Sequence, residues 1–175
     1  MSDYPQDLVS TRRLSDGRAV TIRPIRPEDG ELVQGFVRHL SDESRYSRFM
    51  AQLHELSASK LRYFTQIDYD RHLALIAVAV QADREVEIAV ARYADLQPSD
   101  TCEFAIAVDD AWHGSGVAGI LMTTLIEAAR ERGFKRMEGT VLATNHKMLK
   151  FIRPLGFAVL VDPDDAGTLR VVRPL

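Results

Sequence analysis

The stretch V-D-D-A-W-H-G-S-G-V-A-G, residues 108–119, has residue types and spacing suited to binding an anion. It contains the pattern G-x-G-x-x-G from Gly114 to Gly119, between an apolar run and a segment with helical periodicity. Glycine lets the backbone turn tightly and approach a ligand closely. A helix N-terminus adds unpaired N–H groups and a positive dipole end. The stretch therefore predicts a phosphate-binding loop, or else a glycine-rich corner without a ligand.

A dinucleotide site is one form that such a loop takes. In that fold the first glycine directly follows its strand, and an acidic residue ends the next strand about 20 residues later. Here residues 109–113 separate the strand end at Val108 from Gly114, and Glu138 lies early in its strand. The pattern also follows three successive strands instead of opening a βαβ unit. The context argues against NAD as the ligand.

One carboxylate interrupts the otherwise apolar strand at residues 101–108, and it belongs to Glu103. Burial there would raise its pKa, and such a carboxylate can accept a proton directly or through water. The structural alternative is a strand-end carboxylate paired with an arginine. Glu85 and Glu87 on the preceding strand are expected to be solvated hairpin charges. Cys102 alternates away from Glu103 and is expected in the core instead of acting as a nucleophile.

The elements that must position these groups follow the order β-α-α-β-β-β-α-β-α-β-β, a mixed α/β domain. Residues 1–17 are polar and predict a loose tail or a first edge strand, and residues 18–175 form one domain. Strands are predicted at 19–25, 72–80, 86–96, 101–108, 134–144, 157–162 and 168–174. Helices are predicted at 28–40, 57–66, 117–132 and 145–155, with a polar-capped segment at 41–50.

The composition limits the function classes. At 175 residues, with 46% hydrophobic and 27% charged residues, the chain has the size of one globular domain. A net charge of −3 without a basic face argues against nucleic-acid binding. The single cysteine and five scattered histidines predict no disulfide and no metal site. No signal sequence and no apolar run of membrane-spanning length are seen, so we expect a cytoplasmic protein without a membrane partner.

The segment His113–Ala118 resembles the acyl-CoA-binding signature Q/R-x-x-G-x-G/A of the GCN5-related N-acetyltransferase (GNAT) family, with histidine in the first position. The order of elements also matches that family, and N-H-K-M-L-K-F-I-R-P-L-G-F, residues 145–157, resembles its last motif. The resemblance covers residues 19–174. It implies a single-domain GNAT fold of the α/β (α+β) type, with a mixed, mostly antiparallel, twisted sheet flanked by helices.

Four further phrases resemble the acetyltransferase domain of bacterial Pat-type protein lysine acetyltransferases. They are TIRPIRPED, LSDESRYSRF, FTQIDYDRHLALIAV and DPDDAGTLRV. In that group the domain is commonly fused to a synthetase-like or nucleotide-sensing region. The expectation for this chain is the catalytic domain alone.

The resemblance implies acetyl-CoA as cosubstrate, no metal, and Glu103 as general base. It places the pantetheine arm along the end of the strand at 106–108 and the diphosphate on the glycine segment. The residues implied to bind the cofactor are Ile106, Ala107, Val108, His113, Gly114, Ser115, Gly116, Val117, Ala118 and Asn145. Asn145 is also a candidate helix N-cap. The tyrosine that protonates the leaving thiolate in many members falls at Ile152, so that acid is missing here.

The resulting hypothesis is direct transfer of an acetyl group to a primary amine, with a protein lysine preferred, in a ternary complex. One alternative is an acetyltransferase acting on a small-molecule amine or an amino acid. Another, from a different class, is a non-catalytic acyl-CoA sensor. A homodimer is left open.

Overall fold

A single eight-stranded sheet organises the protein, whose computed structural model describes residues 2–175. The strands are β1 Ser10–Arg13, β2 Ala19–Pro24, β3 His72–Gln81, β4 Arg84–Asp95, β5 Thr101–Val108, β6 Arg136–Leu142, β7 Ala158–Asp162 and β8 Asp165–Pro174. The α-helices are α1 Gly30–His39, α2 Asp42–Phe49, α3 Ala58–Thr65, α4 Val117–Glu131 and α5 His146–Ile152. The strand order is β1-β2-β3-β4-β5-β6-β8-β7. The predicted fold class, a mixed and mostly antiparallel sheet flanked by helices, is confirmed.

Two elements add to the order expected from the sequence. Ser10–Arg13 forms β1, an edge strand that pairs antiparallel with β2. The boundary drawn at residue 17 therefore falls inside the turn that joins these two strands. The polar-capped segment at 41–50 contains a regular helix, α2, whose N-cap Ser41 accepts a hydrogen bond from the Ser44 N–H.

The only parallel pairing within residues 2–175 joins β5 to β6, and it is short. It covers three positions, from Thr101 opposite Arg136 to Glu103 opposite Glu138. Beyond Glu103 the two strands diverge, while β5 stays paired with β4 as far as Val108. The last part of β5 therefore turns one backbone edge toward a gap in the sheet.

Gly139 lies on β6 where this gap opens. A Cβ atom at that position would approach the Phe104 ring to 2.7 Å, which is closer than real contacts allow. The Phe104 ring also packs on Phe157, with ring centroids 5.0 Å apart. The glycine is needed because this aromatic pair fills the space directly over its backbone.

Helices cover both faces of the sheet. Residues 73–79 of β3 are all buried, and successive side chains of a strand point to opposite faces. Helix α1 packs against β4, and α4 packs against β3, β4 and β5. The buried face of α4 consists of Val117, Leu121, Met122, Leu125, Ile126, Ala128 and Ala129. This packing fixes the start of α4 against the end of β5.

Candidate active site

A glycine loop, residues 113–116, connects the sheet to α4. The chain leaves β5 through a 3-10 turn at Asp110–Trp112, which Asp109 caps by accepting a hydrogen bond from the Ala111 N–H at 2.9 Å. Gly114 and Gly116 adopt φ values of +75° and +89°, the left-handed region that favours glycine. The two glycines therefore let the loop curl immediately ahead of the helix.

The curl leaves several N–H groups of the backbone without a partner. The Ser115 N–H donates to the Trp112 carbonyl, and the Val117 N–H donates to the Ser115 hydroxyl. By contrast, the N–H groups of Gly114, Gly116, Ala118 and Gly119 have no acceptor within residues 2–175. Unpaired donors at the positive end of a 15-residue helix suit a phosphate group.

A cavity of about 420 Å³, hereafter the large cavity, lies over this loop between α2, the end of β5 and the start of α5. All but one of the predicted cofactor-binding residues line it: Ile106, Ala107, Val108, His113, Gly114, Gly116, Val117, Ala118 and Asn145. The exception is Ser115, whose side chain is buried beneath the loop. Its hydroxyl accepts a hydrogen bond from the Val117 N–H in the first turn of α4.

His113 is exposed, and its ring turns back toward the sheet. Its Nε2 lies 3.1 Å from the carbonyl oxygen of Val108 at the end of β5. The imidazole therefore connects the glycine loop to the strand that precedes it, and both residues form part of the wall of the large cavity.

A second cavity of about 240 Å³, hereafter the small cavity, adjoins the first at the gap between β5 and β6. The two share the wall residues Ser47, Arg48, Ile106, Asn145 and Met148. Glu103 lines the small cavity. The predicted base thus lines the small cavity and the predicted glycine-loop residues line the large one, with Ile106 and Asn145 in the wall that the two cavities share.

The predicted burial of Glu103 is wrong, because its side chain is exposed. Cys102, Phe104 and Ile106 alternate into the core, whereas Glu103 points to the other face of the sheet. Its carboxylate forms no ion pair within residues 2–175, so the alternative of a strand-end salt bridge is not what the structure has.

Helix α2 contributes residues that the sequence did not single out. Glu43, Ser44, Ser47 and Arg48 line the large cavity, and the last two also line the small one. These positions lie on one face of the helix. Their helical spacing within the segment S-D-E-S-R-Y-S-R-F is the sequence pattern that could have indicated them. Burial lowers the pKa of the Arg48 guanidinium to about 10, although the nearby charge of Glu103 opposes the shift.

The same helix is joined to the 3-10 turn below the glycine loop. The Ser44 hydroxyl donates to the Asp110 carboxylate at 2.7 Å. Partial burial alone would raise the pKa of Asp110, but hydrogen bonds from Ser41 and Ser44 hold it below its ordinary value. The His39 ring approaches the Asp109 carboxylate at 3.3 Å. Polar contacts to Asp109 and Asp110 thus fix α1 and α2 to the segment that leads into the glycine loop.

Helix α5 closes the other side of both cavities. The Asn145 side chain caps it by accepting a hydrogen bond from the Met148 N–H at 3.2 Å, and the same residue lines both cavities. Phe151 lines the large cavity, whereas Ile152 is fully buried. No tyrosine lines either cavity in the described chain, 2–175. No residue of α5 therefore supplies a phenolic acid here.

The remaining chemical candidates lie away from the cavities. Glu85 is exposed, as expected, but Glu87 is only 4% exposed, so its prediction as a solvated hairpin charge is wrong. Burial raises the pKa of Glu87 to about 8, against the opposing charge of Arg92. Cys102 is fully buried, and burial raises the pKa of its thiol to about 12.

Two kinds of feature are absent from the described residues, 2–175. No helix there is long and apolar enough to cross a membrane. No group of three or more histidine, cysteine, aspartate or glutamate side chains is arranged to hold a metal ion.

Known proteins resemble the chain over nearly its whole length. It is 36% identical over 153 residues to acetyltransferase PA5475 of Pseudomonas aeruginosa, covering 87% of this chain and 82% of that one. It is 32% identical to the crystallised GNAT domain of S. lividans PAT, with a TM-score of 0.88 and coverage of 99% and 100%.

A third likeness shows the fold alone. yncA of Salmonella typhimurium, a putative acetyltransferase solved with its cofactor acetyl-CoA, is 18% identical, with a TM-score of 0.67 and coverage of 89% and 92%.

The sequence model of the acetyltransferase (GNAT) family matches residues 33–157. The chain therefore belongs to the GNAT family and is an acetyltransferase that uses acetyl-CoA.

Proposed function

We propose that the chain transfers the acetyl group of acetyl-CoA to the side-chain amine of a protein lysine, by direct attack within a ternary complex. The observation that carries this proposal is the common wall of the two cavities, with unpaired backbone donors at one end and Glu103 at the other. The donor occupies the large cavity, and the amine reaches the thioester through the small one.

The diphosphate of the donor is assigned to the glycine loop. The free N–H groups of Gly114, Gly116, Ala118 and Gly119 provide donors at the start of α4. The dipole of the helix favours the negative charge there. The pantetheine arm is then assigned to the backbone of residues 106–108, which lacks a partner strand on its β6 side. The same edge offers N–H groups to an oxygen that gains negative charge during attack.

The acceptor amine must lose a proton before it can attack. A lysine with a pKa of about 10.4 is neutral at pH 7 in only about one molecule in 2,500. In the proposed reaction the Glu103 carboxylate takes this proton, directly or through water. Its exposure on the small cavity gives a lysine on a protein surface access to it.

Direct transfer is supported by the placement of Cys102. Its thiol is fully buried beneath the sheet, and its raised pKa disfavours the thiolate, which is the nucleophilic form. No cysteine lines either cavity in residues 2–175. The amine nitrogen therefore forms the new bond to the acetyl carbon itself. A cysteine thiol ionises near pH 8.5, which shows that thiols form stable anions, so the sulfur of coenzyme A leaves as a thiolate without a tyrosine.

The choice of a protein lysine is supported by the Pat-type phrases in the sequence and by the 32% identity to the GNAT domain of S. lividans PAT. An amino acid is the second candidate. It is favoured by Arg48, which lines the same cavity as Glu103 and offers a charge complementary to a free carboxylate.

The test is a transfer assay with acetyl-CoA against two acceptor panels, lysine-containing proteins and peptides, and free amino acids and amines. Release of coenzyme A and the mass of the acceptor are both followed. We expect turnover with lysine-containing chains. Turnover confined to free amino acids would contradict a protein lysine as the acceptor and support the second candidate, an amino acid. Binding of acetyl-CoA with no transfer to either panel would identify a sensor and overturn the proposal.

A further inference from the structure

We propose that the turn between β1 and β2, residues 14–18, is a brace that holds the glycine loop in its donor-binding shape. Arg18 and Ser15 act in this brace as positioning residues. This inference rests on the proposed function, since it assigns the diphosphate of the donor to the glycine loop. Residues far apart in sequence make the contacts, which is why the polar N-terminal segment gave no sign of them.

Arg18 contacts the 3-10 turn that leads into the glycine loop. Its guanidinium carbon lies 3.7 Å from the centre of the Trp112 ring, a cation–π contact on a side chain that is itself buried. Both terminal nitrogens of the guanidinium also donate to the carbonyl oxygen of Ala111, each at 3.2 Å. One side chain thus fixes both the ring and the backbone directly ahead of the loop.

Ser15 contacts the glycine loop itself. Its hydroxyl donates to the carbonyl oxygen of Ser115 at 3.1 Å, across 100 positions of the sequence. The Ser115 carbonyl and the Gly116 N–H belong to one planar trans peptide, so they point in opposite directions. Holding the carbonyl toward Ser15 therefore aims the Gly116 N–H away from the brace. That N–H is one of the unpaired donors of the loop.

The brace has a defined shape of its own. Leu14 anchors it in the core, and the Leu14 N–H donates to the Arg18 carbonyl at 2.8 Å. Gly17 adopts a φ of +88°, which closes the turn. Asp16 accepts two hydrogen bonds from the Arg18 guanidinium, at 2.9 and 2.7 Å. These bonds orient Arg18 toward the turn at Ala111 before any ligand binds.

If the brace is removed by mutation, we expect weaker binding only of donors that carry a diphosphate. Arg18→Ala and Ser15→Ala are compared with Arg12→Ala, a matched control. Arg12 lies on the same hairpin and is exposed, and within residues 2–175 its side chain forms a hydrogen bond only with the Ser10 hydroxyl. Each variant is assayed with acetyl-CoA and with acetyl-pantetheine, the same thioester without the diphosphate. Calorimetric Kd values for coenzyme A and thermal melting points complete the set.

We expect Arg18→Ala to raise the KM for acetyl-CoA and the Kd for coenzyme A roughly tenfold, with kcat nearly unchanged, because the lost interaction is uniform binding. Ser15→Ala should give a several-fold rise, and Arg12→Ala none. The kcat/KM for acetyl-pantetheine should be the same in all three variants. Arg18→Lys should recover part of the affinity, since it keeps a cation over Trp112.

Two results would overturn the brace. One is an unchanged KM for acetyl-CoA in Arg18→Ala. The other is an equal loss with both donors, which indicates general structural damage. Failure of the diphosphate assignment gives a different pattern, because the wild-type protein would then show no preference for acetyl-CoA over acetyl-pantetheine. Failure of the proposed function is distinguished by the wild-type protein alone, which would then show no transfer to lysine-containing chains.

Discussion

Glu103 and Glu87 show how far the surroundings of a residue decide its chemistry. Both are glutamates on adjacent strands of one sheet. Glu103 is exposed on the small cavity, whereas Glu87 is almost fully buried under the helices. The glycine spacing around Gly114 was enough to predict a tight loop at the start of a helix, because the backbone chemistry there is local. The exposure of the two carboxylates was not predictable, because it depends on where the helices cover the sheet.

At Glu103 the prediction concerns turnover. Glu103→Gln removes the group that accepts the proton of the amine but keeps the size of the side chain. We expect kcat to fall about 10²- to 10⁴-fold, while the Kd for coenzyme A stays the same. Steady-state kinetics and calorimetry measure the two quantities. Glu85→Gln, an exposed glutamate on β4, is the matched control and should behave as the wild type. An unchanged kcat in Glu103→Gln would remove the residue from the mechanism.

At the scale of elements, the sequence predicted the central strands and α4 well, because their apolar patterns are long and periodic. It missed α2 as a wall of the site. That helix is mostly polar, with Arg45 as its only buried residue, so hydrophobic periodicity gave no signal. Its role depends on the hydrogen bond from Ser44 to Asp110, which joins positions 66 apart in the chain. Pairing over that distance is set by the fold and cannot be read from local spacing.

At the point where β5 and β6 diverge, we predict that one added methyl group, in Gly139→Ala, lowers the stability of the protein. In Gly139→Ala the new Cβ meets the Phe104 ring at 2.7 Å. We expect a loss of about 1–3 kcal/mol in the free energy of unfolding, the usual cost of overpacking a core. The KM for the acceptor should rise as well, because Phe104 lines the small cavity. Urea denaturation and acceptor kinetics measure these changes.

Gly35 on α1 provides the control for that substitution. Apart from its chain neighbours and the backbone of its own helix, no heavy atom lies within 4 Å of a Cβ built there. Gly35→Ala should therefore stabilise the protein by about 0.5–1 kcal/mol through its helix propensity. Equal stability of the Gly139→Ala variant and the wild type would contradict the tight packing at the divergence.

For the whole molecule, Glu87 predicts a pH-dependent stability. Burial raises its pKa from 4.5 to about 8, so between these values the folded state holds a proton that the unfolded state has lost. Stability is therefore highest below pH 4.5 with respect to this group and falls as the pH rises toward 8. The free energy of unfolding changes by at most about 5 kcal/mol through this group, since each unit of pKa difference corresponds to about 1.4 kcal/mol.

Glu87→Gln removes this titration. We expect the variant to exceed the wild type in stability at pH 8.5, with the difference shrinking steadily toward pH 5. Denaturation at a series of pH values measures the difference, and Glu85→Gln serves as the exposed control. A difference between Glu87→Gln and the wild type that does not change with pH would contradict the buried proton.

The short contact between β5 and β6 has a mechanical consequence for the molecule. Three rungs of the ladder and the α4 crossover connect two smaller sheets, β1–β5 on one side and β6–β8 on the other. A donor bound along the free edge of β5 would form backbone hydrogen bonds where β5 has no pairing with β6. In the proposed reaction the donor is bound beside the shortest strand pairing of the sheet, so binding of the donor would add backbone hydrogen bonds there and release of the product would remove them.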